Sequence, residues 1–149
     1  MRKIGFIGCG HMAKALIGGL KSNKSYELLG HDRNSKNIAW LKQEKIPFYS
    51  LKEVCHEANI LMICVKPKDM YDLCSEMRTY IGNELKIVSV AAGITLENLK
   101  DALSGGKVYR AMPNRGAKHN LGITSIFSYE ELNEIIDIFN YLGKAIVVE

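Results

Sequence analysis

Ile4-Gly5-Phe6-Ile7-Gly8-Cys9-Gly10-His11-Met12-Ala13 is the stretch that decides the fold. Lys3 to Ile7 is a short apolar run, which predicts a buried strand, and Met12 to Leu20 places Ala13, Leu16, Ile17 and Leu20 on one face at helical spacing. Between them Gly8, Gly10 and Ala13 spell G-x-G-x-x-A at a strand end and a helix start. In that context Gly8 permits a tight turn, Gly10 lets the backbone approach a pyrophosphate with no Cβ in the way, and the small Ala13 lets helix pack closely on strand. An anion there would meet free N–H groups at the positive end of the helix dipole. Gly8, Cys9, Gly10, His11 and Met12 are therefore the candidates to hold a dinucleotide, NAD(P), by its pyrophosphate. The alternative is a glycine turn that merely joins strand to helix.

Outward from this turn, short apolar runs alternate with helix-period stretches as far as Leu103, the pattern of βαβ units on a parallel sheet. Strands are predicted at Lys3 to Ile7, Tyr26 to His31, Phe48-Tyr49, Asn59 to Val65, Ile87 to Ala91 and Val108 to Met112. Helices are predicted from Met12 to Leu20, from a Ser35 cap to about Lys45, over Leu51 to Glu57, from Pro67 to about Tyr80, and after a Thr95 cap through Leu99 and Leu103. Two further strands, Leu121 to Ser128 and Lys144 to Val148, flank a helix from Tyr129 to Tyr141. The expected fold is an α/β, Rossmann-type, doubly wound, mainly parallel sheet of about eight strands with helices on both faces. Residues 1–149 are read as a single dinucleotide-binding domain.

Composition narrows the class. The chain has 149 residues, 47% hydrophobic and 24% charged, near the globular average. A net charge of +4 with scattered basic residues suits a small anionic ligand better than a nucleic-acid surface. Cys9, Cys55, Cys64 and Cys74 lack C-x-x-C spacing, and the histidines lack ligand spacing, so reduced thiols and no metal are expected. The apolar N-terminal stretch is too short for a signal sequence and no membrane-length apolar run occurs, which makes the expected location cytoplasmic.

Cofactor choice falls on Gly30-His31-Asp32-Arg33-Asn34-Ser35, about 20 residues past the glycines. Asp32 could accept from a ribose 2′-hydroxyl and favour NAD. Arg33, Asn34 and Ser35 could hold a 2′-phosphate, and the balance leans to NADP. Asp32 and Arg33 could equally form an ordinary surface ion pair.

Four segments together carry a family resemblance: Ile4 to Ala13, Val65-Lys66-Pro67, Val88-Ser89-Val90-Ala91-Ala92-Gly93-Ile94, and Arg110-Ala111-Met112-Pro113-Asn114. The whole chain resembles the N-terminal, cofactor-binding part of pyrroline-5-carboxylate reductase, the last enzyme of proline synthesis. The first two segments also occur in β-hydroxyacid-dehydrogenase-type domains. The resemblance implies that Val65, Lys66 and Pro67 line the adenosine and ribose side of the cleft. It implies too that Ala92 and Gly93 leave room beside the nicotinamide ribose, and that Met112, Pro113 and Asn114 back the nicotinamide ring. His11 stands where the family carries an asparagine beside the phosphates.

The implied reaction is hydride transfer to the C=N carbon of a cyclic imino acid, giving L-proline. Water can protonate the imine, so no catalytic side chain is assigned. Two departures stand out. Where the family continues Thr-Pro-Ala, this chain has Arg115-Gly116-Ala117-Lys118-His119, and it stops at Val147-Val148-Glu149, where the family's helical dimerisation domain would begin. The oligomeric state is left open on that account. A non-catalytic NADP-binding module and a β-hydroxyacid-dehydrogenase-type domain are the alternatives.

Overall fold

The computed structural model describes residues 1–113 and 122–148. In chain order the elements are β1 (Arg2–Ile7), α1 (His11–Leu20), β2 (Tyr26–His31), α2 (Ser35–Gln43), α3 (Leu51–Glu57) and β3 (Ile60–Ile63). A 3-10 turn, Pro67–Asp69, leads into α4 (Met70–Met77). Then follow β4 (Lys86–Ser89), α5 (Leu96–Leu103), β5 (Lys107–Met112), β6 (Gly122–Phe127), α6 (Asn133–Tyr141) and β7 (Gly143–Val147). The strands form one sheet in the order β2-β1-β3-β4-β5-β6-β7. Every neighbouring pair is parallel except β5 with β6.

The sheet has seven strands where about eight are expected. Phe48-Tyr49, expected as the third strand, makes a single parallel bridge from Phe48 to Gly30. Pro47 has no N–H to donate, and Ser50 already caps α3, so too little chain lies between them to form a ladder. The bridge still lies outside β2. Counted in, it gives the doubly wound order, which reverses between β1 and β3 and opens a crevice there at the carboxyl ends.

Both faces of the sheet are covered. Leu16, Ile17 and Leu20 of α1 and Ile135, Ile138 and Phe139 of α6 pack with Ile4, Phe6, Tyr109 and Ile126 on one face. Val54 of α3, Met70 and Met77 of α4 and Leu99 and Leu103 of α5 pack with Leu61, Ile63, Ile87 and Val108 on the other. β3 is buried at all four positions, which is why its sequence shows no alternation.

Several boundaries move for local reasons. Asn34, not Ser35, caps α2, its side chain accepting from the N–H groups of Lys36 and Asn37. α6 starts at Asn133 rather than Tyr129. The segment before it crosses β5 instead: the Ser128 hydroxyl donates to the Val108 carbonyl at 2.6 Å and the Tyr109 hydroxyl to the Glu131 carbonyl at 2.9 Å. The expected start of β6 at Leu121 lies outside the described residues.

Candidate dinucleotide site

The turn after β1 runs into the β1/β3 crevice. Gly8 sits at φ +85°, in the left-handed region, and its N–H donates to the His31 carbonyl at 2.9 Å. A Cβ there would lie 2.9 Å from Val65 Cγ1 and 3.0 Å from the backbone of Cys64 and Val65. Glycine is demanded at this position by conformation and by space. Gly10 differs: its φ of −79° suits any residue, yet a Cβ on it would meet nothing within 4 Å. Its small size leaves a hollow in front of the helix.

That hollow faces an unclosed helix start. Asn34, Ser50 and Thr95 close α2, α3 and α5 with side-chain hydrogen bonds, whereas α1, α4 and α6 have no side-chain cap, and of these three α1 alone has no acidic residue in its first turn. Its first N–H groups therefore carry the positive end of the dipole toward open space. Cys9 is buried; burial, with Asp32 nearby, pushes its thiol up to about 12, so it stays protonated and serves packing. What Cys9 offers the turn is its backbone. Met12 packs on the core and His11 is exposed at the rim.

Asp32 braces this turn. Its Oδ2 accepts from the Cys9 N–H at 2.7 Å and from Asn37 Nδ2 at 2.9 Å, and its Oδ1 accepts from the Asn34 N–H at 2.9 Å. Burial alone would raise its pKa. The hydrogen bonds from Asn34, Cys9, Asn37 and Arg33 outweigh it and hold the carboxyl below the usual range, so Asp32 is ionised at neutral pH. Arg33 reaches it through its backbone N–H and not through an ion pair. The Arg33 guanidinium instead meets Glu76 Oε1 of α4 at 2.5 Å.

Between these walls lies a cleft of about 260 Å³ lined by Ile7, Gly8, His31, Asp32, Arg33, Val65, Asp69, Asp72 and Leu73. It brings together the ends of β1, β2 and β3. Lys66 and Pro67 are exposed beside it at the start of the 3-10 turn, and Asn34 is exposed at its edge. Ala92 and Gly93 are exposed just past β4, with Gly93 at φ +78°. Met112 ends β5, 44% exposed, and Pro113 follows. The expected residues thus line the carboxyl ends of five adjacent strands, while Asn114 and the 115–119 departure lie outside the described residues.

Sequence reasoning missed His31, whose ring stacks on Phe48 at 5.8 Å and whose Nδ1 lies 2.9 Å from the Tyr49 carbonyl oxygen. It also missed Asp69, Asp72 and Glu76. Their spacing of three and four residues was a usable signal, because it places all three carboxylates on one helical face. Among the described residues no cluster of His, Cys, Asp and Glu could hold a metal ion, and no helix is long and apolar enough to cross a membrane.

Residues 3–93 match the family described as NADP oxidoreductase, coenzyme F420-dependent. The pyrroline-5-carboxylate reductase of Escherichia coli (strain K12) is 34% identical across 99% of this chain, and the chain spans 59% of that enzyme. Among solved structures, a pyrroline-5-carboxylate reductase from Coxiella burnetii superposes with a TM-score of 0.88 at 23% identity, over 98% of this chain and 58% of that one. The pyrroline carboxylate reductase of Plasmodium falciparum with NADP bound gives 0.86 at 22%, over 99% and 58%.

Proposed function

The chain belongs to the NADP oxidoreductase, coenzyme F420-dependent family and is homologous to the N-terminal NADP-binding region of pyrroline-5-carboxylate reductases, and on that premise we propose that it is the cofactor-binding domain of a reductase of cyclic imino acids. The observation that carries the cofactor half is the uncapped start of α1, open in front of Gly10. Gly8 to Met12 hold the pyrophosphate through backbone N–H groups. The cleft beside Asp32, Arg33 and Val65 takes the adenosine end, and Ala92, Gly93, Met112, Pro113 and Asn114 take the nicotinamide end. When bound, the reduced nicotinamide supplies the hydride. The chain's own task is orientation, which brings two reactants to near-attack distance and can lower a barrier by roughly 7–11 kcal/mol when complete.

The imine half is supported by the 34% identity to a reductase of pyrroline-5-carboxylate. By the resemblance, the part of those enzymes that holds the substrate carboxylate lies outside the matched span. The 149-residue chain is therefore expected to bind cofactor with little or no turnover. Calorimetry with NADH and NADPH, alongside a proline-formation assay on the same preparation, tests both halves. Binding with turnover far below about 10 per second is the expected result. Absence of binding overturns the cofactor assignment, and turnover near that rate overturns the division of labour. Turnover of hydroxyacids in place of the imine would favour the dehydrogenase reading.

A further inference from the structure

Taking the cleft as the adenosine site, as proposed above, its chemistry bears on which form of the ribose it accepts. In doubly wound folds the group at the end of β2 decides: a carboxylate suits a ribose 2′-hydroxyl and an arginine accommodates a 2′-phosphate. Here neither residue is free to act alone. Both Asp32 oxygens serve the Gly8 turn and the α2 cap. The Arg33 guanidinium already has a carboxylate, Glu76, and Asp69 and Asp72 of the same helical face line the cleft beside it. All three act on Arg33, Glu76 most strongly. A 2′-phosphate carries nearly two negative charges at neutral pH. To reach Arg33 it must displace Glu76 and sit among acids. A 2′-hydroxyl instead can donate to a carboxylate and leaves the Arg33–Glu76 pair intact.

We propose that Glu76, with Asp72 and Asp69 beside it, determines cofactor specificity by occupying Arg33, so that the cleft takes a dinucleotide with a free 2′-hydroxyl in preference to a 2′-phosphorylated one. This reverses the lean to NADP that Arg33 alone suggests. Exposed pairs are weak, with side chains here 74% and 47% accessible, so the effect of any one substitution is modest: about fivefold for loss of one such partner.

Calorimetric titration of the whole chain with NADH and with NADPH provides the test. The unaltered chain should bind NADH about fivefold more tightly or better. Glu76→Gln should tighten NADPH about fivefold and change NADH less than about twofold. In an Arg33→Ala background the same Glu76→Gln change should lose most of its benefit, because there is no guanidinium left to release. Asp72→Asn added to Glu76→Gln should shift the ratio further in the same direction. Glu76 and Asp72 are exposed, so melting temperatures should stay level. A preference for NADPH in the unaltered chain, or a cofactor ratio unmoved by Glu76→Gln, overturns the proposal while leaving the dinucleotide site standing. Failure of the chain to bind either dinucleotide overturns both.

Discussion

The two ends of the sheet are held differently, although an ion pair, Arg33–Glu76, is found at the carboxyl end as well. At the amino ends of the parallel strands, side chains pair with side chains. Arg2 of β1 and Lys86 of β4 both reach Glu134 of α6, at 2.5 and 2.9 Å, while Lys3 meets Glu57 and Lys107 meets Glu84. At the carboxyl ends of β1 and β2 the brace is a carboxylate taking backbone N–H groups, Asp32 on Cys9 and Asn34, and the helix start behind it is left uncapped. Charged pairs fasten strands to helices, and in Lys107–Glu84 to the turn before β4, without regard to what lies outside. Backbone bracing fixes a turn while leaving its remaining donors and the space at Gly10 unused. Support and open space are thereby separated within the carboxyl-end turn itself, where Gly8 and Asp32 hold the turn and Gly10 leaves room, while the amino end carries support alone.

Two glycines two residues apart test that separation most severely. Gly8→Val forces a branched residue to φ +85° and drives its Cβ to 2.9–3.0 Å from Val65 and Cys64. It should cost about 3 kcal/mol, or roughly 10 °C in melting temperature. Gly10→Val enters open space at an ordinary φ, so melting should change by no more than about 3 °C while dinucleotide affinity falls by about a hundredfold or more. Equal loss of stability in the two variants, or full affinity in Gly10→Val, would break the comparison.

The Gly8–Gly10 contrast also shows what the sequence could and could not reveal. Strand, turn and helix were legible around the glycines because a period-3.6 face, a short apolar run and G-x-G-x-x-A agree on one geometry. The two different reasons for glycine, a tight turn at Gly8 and room for a pyrophosphate at Gly10, were legible as well; the close approach of Val65 and Cys64, which leaves Gly8 no space for a side chain, was not, because it exists only once β3 lies alongside. Phe48-Tyr49 looked like a strand because β-propensity is local, whereas a ladder needs length and donors that Pro47 and the Ser50 cap deny it. Asp32 and Arg33 are adjacent in sequence, which suggested a mutual pair. Their real partners, Cys9 and Glu76, lie 23 and 43 residues away. Asp69, Asp72 and Glu76 are marked in the sequence only by their spacing, because nothing in the apolar pattern that defines α4 says that its polar face meets Arg33.

Asp32→Asn comes next in size. It removes the charge that accepts the Cys9 and Asn34 N–H groups and leaves the turn only partly satisfied. The expected cost is about 1–3 kcal/mol in stability. Affinity for NADH and NADPH should fall by the same factor, because the residue acts on the pyrophosphate turn that both share. A selective loss of NADH binding, seen by calorimetry, would make Asp32 a ribose ligand and move it from brace to recognition.

The smallest expected effect belongs to the opposite end and is read as a pH dependence. Burial pulls the Glu134 carboxyl up, but the hydrogen bonds and charges of Arg2 and Lys86 outweigh it and hold the group below its ordinary value near 4.5. A folded-state value below the unfolded one means that folding releases a proton. The stabilisation is therefore fully present above the unfolded value and disappears as pH falls through the folded one. Glu134→Gln imitates the protonated acid. At pH 7 it should lower stability by about 1 kcal/mol, or roughly 2–4 °C in melting temperature. Below the ordinary value near 4.5 the gap between variant and parent should narrow as pH falls, because the parent's carboxyl then loses its charge in turn. Calorimetric binding of dinucleotide at pH 7 should be unchanged, since Arg2, Lys86 and Glu134 sit at the far ends of β1 and β4 from Gly10. Thermal melts monitored by circular dichroism from pH 3 to 7 decide the matter: a gap that stays constant across the range would show that Glu134 stabilises α6 by packing rather than by charge, and the amino end would then no longer be the electrostatic counterpart of the glycine turn.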